Sequence, residues 1–183
     1  MGGLRGDIFA GKETPAAAAV HEALQYARCH SAAVLAAAGN RGGATGSPRE
    51  TDLIFPARWE AMRAPRAGEC QTEFGVTVSG SLPEVPLVSA VGAIDREDLP
   101  VGVAREHGEP ELVAYGSGVV VPSRPPGHPV AAPPRTSLLF GTSPASVIAA
   151  SAVALITRLG VGYDARVAED HLRRSAPRLS GSA

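Results

Sequence analysis

Phe140-Gly141-Thr142-Ser143-Pro144-Ala145-Ser146 precedes an uncharged run from Val147 to Ile156. Proline is favoured in the first helical turn, where its missing N–H is not needed and its φ is already helical, so a helix is predicted to begin at Pro144. A serine on a glycine turn at such a helix start has an exposed hydroxyl, which is how a nucleophile is presented. The same residues also suit an ordinary N-cap, because Ser and Thr side chains satisfy free N–H groups. The helix is apolar on almost every face. That pattern implies burial through the middle of the domain, with Val147, Ile148, Val153 and Ile156 inside.

Working outward, Leu138-Leu139-Phe140 reads as the strand that delivers the chain to this turn. Much earlier, Ala33 to Ala38 is a short, wholly apolar strand running into Gly39 and Asn40. An asparagine amide can donate a hydrogen bond to the negative oxygen of a tetrahedral intermediate, and removing such a donor lowers turnover roughly 10²- to 10³-fold. The alternative for Asn40 is a turn residue tolerating a left-handed conformation. The loop from Gly39 to Gly46 fits neither Gly-x-Gly-x-x-Gly nor Gly-x-x-x-x-Gly-Lys-Ser/Thr, so phosphate cradling is poorly supported.

Thr14-Pro15 reads as N-cap and first helical residue, with Val20, Ala23, Leu24 and Ala27 at i, i+3, i+4 and i+7. This amphipathic helix should end near Cys29-His30, and with the following strand it forms half of a βαβ unit. Further strands are read over Val88–Ile94, 111–116 and 118–122. Arg58 to Pro86 reads as an inserted surface loop or hairpin, and Ser123 to Pro134 as a proline-rich extended stretch. A last amphipathic helix is capped near Asp164 and carries Val167, Ala168 and Leu172, ending around Arg174-Ser175. Asp95, Glu97 and Asp98 lack ligand spacing and read as a solvated turn, so no metal and no cofactor are assigned.

With 183 residues, 44% of them hydrophobic and 19% charged, the chain can bury a core. A net charge of -1 and the absence of a Lys/Arg run leave no field for nucleic acid. The uncharged stretch from Thr136 to Thr157 approaches the length that crosses a bilayer, but Gly141 and Pro144 divide it, so no membrane span is assigned. Cys29 and Cys70 form a disulfide or are two separate thiols; sequence does not distinguish these. The first residues lack the apolar segment of a secretory signal, which leaves the localisation unknown.

Gly-Thr-Ser-x-Ala-Ser before an Ala/Val-rich helix resembles the nucleophile motif of the subtilisin-like serine peptidases. Ala33 to Asn40 resembles that family's oxyanion-hole segment, in the same chain order. Phe55-Pro56-Ala57 and Val88 to Asp95 resemble an aromatic-Pro-Ala and Val-Gly-Ala pair, here far apart. The resemblance covers Pro15 to Ala176 and implies an α/β three-layer sandwich with a mostly parallel sheet, incomplete at its N-terminus. Residues 1–183 are then a partial peptidase domain, with 58–86 inserted within it.

It further implies a serine endopeptidase with Ser143 as nucleophile and Asn40 as oxyanion donor, acting on peptide or protein substrates, and secreted. The family's aspartate and histidine, as Asp-Thr/Ser-Gly and His-Gly-Thr, do not occur in the chain. None of His21, His30, His107, His128 and His171 has that Gly-Thr context. The chain alone is therefore expected to be inactive, with a polypeptide carrying the missing half as a partner. Two other readings remain open: a noncatalytic binding or scaffold protein derived from the fold, and an unrelated α/β protein in which Ser143 is only a cap.

Overall fold

The computed structural model describes residues 14–41, 53–105, 108–123, 135–160 and 163–177. The first thirteen residues, Gly42 to Gly46, His107 and the stretch from Arg124 to Pro134 with His128 lie outside them. The Thr14 hydroxyl accepts from the Ala17 N–H at 3.3 Å, and Pro15 follows, so α1 (Pro15–Cys29) starts as the cap-and-proline pattern sets it. After a turn, β1 (Leu35–Ala37) enters the sheet. β2 (Ser89–Ile94) and β3 (Leu112–Tyr115) complete a three-stranded parallel sheet in the order β1-β2-β3. Ala36 lies opposite Ala90, and Val91 opposite Leu112.

Side chains alternate across a strand, and both faces of this sheet are covered. On one face Ala36, Val88 and Ala90 pack with Phe55, Ala57, Trp59 and Leu87, and with Leu24 of α1. On the other, Leu35, Val91, Ala93 and Leu112 meet Ala145 and Ala149, which belong to α3 (Thr142–Leu159). The final helix, α4 (Ala165–Ser175), packs on α3 and adds Leu172 to that core. The result is an α/β fold of three layers with a parallel sheet in the middle. The hairpin-like pair β4 (Val119–Ser123) and β5 (Arg135–Leu139) is antiparallel and delivers the chain to α3.

The segment 58–86 contains ordered structure: a 3₁₀ turn at Ala57–Ala61 and the helix α2 (Ala67–Phe74). Cys29 and Cys70 are joined by a disulfide that ties α2 to the end of α1.

Three expectations need correction. α3 is not buried all round: Val153 is 3% exposed, but Val147 and Ile148 are 64% and 39% exposed, and Ile156 is only half-buried. The sheet covers one face of this helix and α4 a second, and no described element reaches the rest. α3 also begins at Thr142, two residues before Pro144.

In α1 the buried residues are Ala17, Arg28 and Cys29, while Val20 and Ala23 face solvent. The cause is a buried ion pair. Arg28 and Glu169 of α4 are both fully buried and bonded to each other, and Arg28 also donates to the carbonyls of Leu87 and Pro86, each at 2.9 Å. The Ser89 hydroxyl donates to Glu169 at 2.5 Å, and Arg166 donates to Pro65 and Pro83 carbonyls at 3.1 and 2.9 Å. Charges are buried only when paired and hydrogen-bonded, and this network turns α1 until Arg28 faces inward. Of the apolar period, Leu24 packs against the core and Ala27 is half-buried, while Val20 and Ala23 are turned to solvent.

Candidate nucleophile and oxyanion site

Parallel strands present their C-terminal ends on one edge of the sheet, and ligands in open α/β folds bind there. Asn40 lies just past the end of β1, and the turn into α3 comes to the same edge, since the Gly141 N–H donates to the Gly116 carbonyl past the end of β3 at 2.8 Å. The two segments meet through hydrogen bonds. Asn40 Oδ1 accepts from the Thr142 N–H at 2.9 Å and from the Thr142 hydroxyl at 3.2 Å, and Thr142 Oγ1 accepts from the Gly39 N–H at 3.1 Å.

This contact decides what each residue does at the helix start. The N-cap position is Gly141, which has no side chain to cap with, so the first N–H of α3 is satisfied by Asn40 from another element. A backbone N–H only donates, so the amide atom facing it is the oxygen, and Nδ2 with its two protons is turned away from Thr142. Gly141 is required twice over: its φ is +105°, and a Cβ there would lie 2.5 Å from Asn40 Nδ2. Thr142 is 2% exposed, whereas Ser143 is exposed in the first turn and does not cap the helix. Asn40 is exposed as well.

A cavity of about 580 Å³ opens beside this cluster, lined by Gly39, Thr142, Gly92, Val101, Ala104 and Arg105 among others. Gly39 has φ +111°, and a Cβ at that position would meet Ile54 and Arg105 below 3 Å, so the loop leaves the strand only with glycine there.

The three histidines among the described residues belong to other parts of the fold. His21 stands edge-on to Trp59, His30 stacks at an angle on Tyr26, and His171 of α4 lies against Tyr163. None of these ring contacts involves Ser143. Glu60, the carboxylate whose pKa is raised, is at the opposite end of the sheet. It accepts from the N–H groups of Ala90 at 2.8 Å and Glu111 at 3.3 Å, near the starts of β2 and β3. Burial pushes it up to about 7 against those two hydrogen bonds.

Asn40 and the Gly141-Thr142-Ser143 turn are thus brought together. The locking role of Thr142 and the steric demand at Gly141 were not read from the sequence, although both residues stand directly before Ser143.

No family model matches the chain, and no curated protein sequence does either. Two solved proteases are similar in structure. One is the prenylagaramide maturation protease PagA, with a TM-score of 0.57 and 21% identity over 96% of this chain and 50% of that one. The other is the MycP3 protease from the type VII (ESX-3) secretion system, with a TM-score of 0.53 and 22% identity over 89% of this chain and 43% of that one. The chain therefore has a protease fold and spans about half the length of these proteases. Membership of the subtilisin-like peptidase family is corrected: with no matching family model and identities of 21% and 22%, the likeness establishes the fold and not the family.

Proposed function

We propose that this chain contributes the nucleophile and the oxyanion donor of a serine-type peptide hydrolysis site. The observation that carries the proposal is the Asn40 amide, fixed through Oδ1 by Thr142 so that its Nδ2 protons are free to donate at the end of α3 that bears Ser143. In the reaction, Ser143 Oγ forms a bond to the substrate carbonyl carbon while its proton passes to a base. The carbonyl oxygen becomes negative and accepts from Asn40 Nδ2 and from the Ser143 N–H, one of the first-turn groups that no helix carbonyl can reach. The C–N bond then breaks as the same proton is delivered to the leaving amine, and water hydrolyses the resulting acyl ester by the reverse relay.

Among the described residues geometry assigns no histidine to that relay, because His21, His30 and His171 contact Trp59, Tyr26 and Tyr163 instead. A serine without its histidine is a weak nucleophile, and in a triad enzyme that loss alone costs roughly 2 × 10⁶ in turnover. The chain by itself is therefore expected to hydrolyse no peptide. A partner polypeptide carrying an aspartate and a histidine is expected to restore hydrolysis. The test is incubation of the purified chain with a general peptide substrate and a fluorophosphonate probe. Hydrolysis by the chain alone that Ser143→Ala abolishes would mean a base resides in this chain. Labelling at a residue other than Ser143 would remove the assignment.

A further inference from the structure

We propose that the outer stripe of α3 and the free edge of β1 form one docking surface for a separate polypeptide segment that supplies at least one strand and one helix. This is the partner on which the hydrolysis reading calls for its base, and the proposal rests on that reading only to that extent.

Ala145, Ala149 and Val153 recur at i, i+4 and i+8 on α3 and are buried against the sheet. Val147, Ser151, Leu155 and Leu159 recur with the same spacing on another face. Val147 is 64%, Leu155 59% and Leu159 73% exposed. A surface helix is normally polar on the face it turns to water, and this one carries a single charge, Arg158, in eighteen residues. Large apolar side chains are also exposed on the β4–β5 pair, at Val120 and Leu138, which lie opposite each other, and at Phe140. An apolar stripe along one exposed helix face, as on α3, marks an interaction site.

The sheet is open as well. Val34 O and Ala38 N bond to β2, so the parallel ladder turns the N–H and C=O groups of Leu35 and Ala37 to the other edge, where no strand among the described residues pairs with them. An open edge of this kind accepts an added strand.

One kind of occupant satisfies both features. A lipid surface would cover α3 but has no groups to pair with β1. A second copy related by a twofold axis could offer β1 only its own β1, antiparallel and three residues long. A polypeptide with a strand and a helix can do both. Almost all of this chain aligns with PagA and MycP3 while accounting for 50% and 43% of them. Each of those proteases therefore has about as much polypeptide again.

The test places a photo-crosslinking residue at Leu155, whose exposure lets it be replaced without disturbing the core, and irradiates the chain in its native cells. The expected result is capture of one polypeptide distinct from this chain. Capture is lost in Leu159→Asp, a variant whose unfolding transition is unchanged. The captured polypeptide, added to purified chain, slows amide exchange at Leu35 and Ala37 at least tenfold. Cross-linking to a second copy, to lipid or to nothing overturns the proposal, as does a captured polypeptide that leaves those two amides unprotected. Fluorophosphonate labelling of Ser143 in the same complex separates the two claims. Docking without labelling removes the hydrolysis reading and leaves the docking surface standing.

Discussion

Replacing Gly141 by alanine probes the Asn40 contact more sharply than replacing Asn40 itself. The new Cβ would stand 2.5 Å from Asn40 Nδ2 and 2.6 Å from Oδ1, and the amide cannot give way while Oδ1 holds two hydrogen bonds from Thr142. The backbone at φ +105° adds a cost of about 1–2 kcal/mol for any residue with a Cβ. Swinging Asn40 out costs about 1 kcal/mol for each hydrogen bond and leaves the first N–H of α3 without a partner. The expected loss is about 2–4 kcal/mol, a large part of the 5–15 kcal/mol typical of a domain. Urea denaturation of the purified variant measures it, and the side-chain amide resonances of Asn40 report whether the lock has opened. A loss below about 0.5 kcal/mol with those resonances unmoved would refute the reasoning, because Asn40 would then not be held against the turn.

Glu169→Gln leaves the Arg28 guanidinium buried without a countercharge and should cost about 3–5 kcal/mol in chemical denaturation, whereas a loss under about 1 kcal/mol would mean that the pair is solvated. Glu60 holds its proton up to about pH 7 in the fold, against an ordinary 4.5 for a glutamate carboxyl. Its contribution to stability is therefore fully present below pH 4.5 and declines as the pH rises towards 7. Partial exposure reduces that change to about 1–2 kcal/mol. In Glu60→Gln the fall across this window should flatten, and an unchanged slope would assign it to other groups. Val153→Asp buries an unpaired charge on α3 and should abolish cooperative unfolding or cost about 4 kcal/mol. Leu155→Asp, at a site 59% exposed, should leave the transition within about 0.5 kcal/mol. Equal losses from the two would contradict the two-faced description of α3.

Much of this fold is legible in local signals. Thr14-Pro15, Gly160 after the last turn of α3 and Asp164 before α4 set helix boundaries, and Asp164 caps α4 by accepting from the Val167 N–H at 2.8 Å. β1, β3 and β4 stand out as short apolar runs next to glycine, whereas β5 begins with Arg135, Thr136 and Ser137 and only Leu138 and Leu139 carry an apolar signal. Burial was less legible because it depends on what lies beyond each helix. A helix that is apolar all round implies cover on every face, and sequence does not reveal that the described chain supplies cover for only part of α3. Arg28 and Glu169 sit at charged positions that pattern reading assigns to water, and only a partner 141 residues away makes their burial tolerable. At the site, glycine, serine and asparagine in that order pointed to two segments that the fold does bring together. The atoms that hold them, Thr142 Oγ1 and the absent Cβ of Gly141, have no periodicity by which they could be found.

The most direct measurement is the rate at which a fluorophosphonate modifies Ser143 in the complex of this chain with its captured partner, compared with the same complex carrying Asn40→Leu. Phosphonylation builds negative charge on an oxygen where the acyl intermediate would place it. With Asn40 as the donor, the rate should fall roughly 10²- to 10³-fold in the variant. Equal rates, with both proteins folded and both complexes formed, would contradict the account and leave Asn40 as no more than the cap of α3.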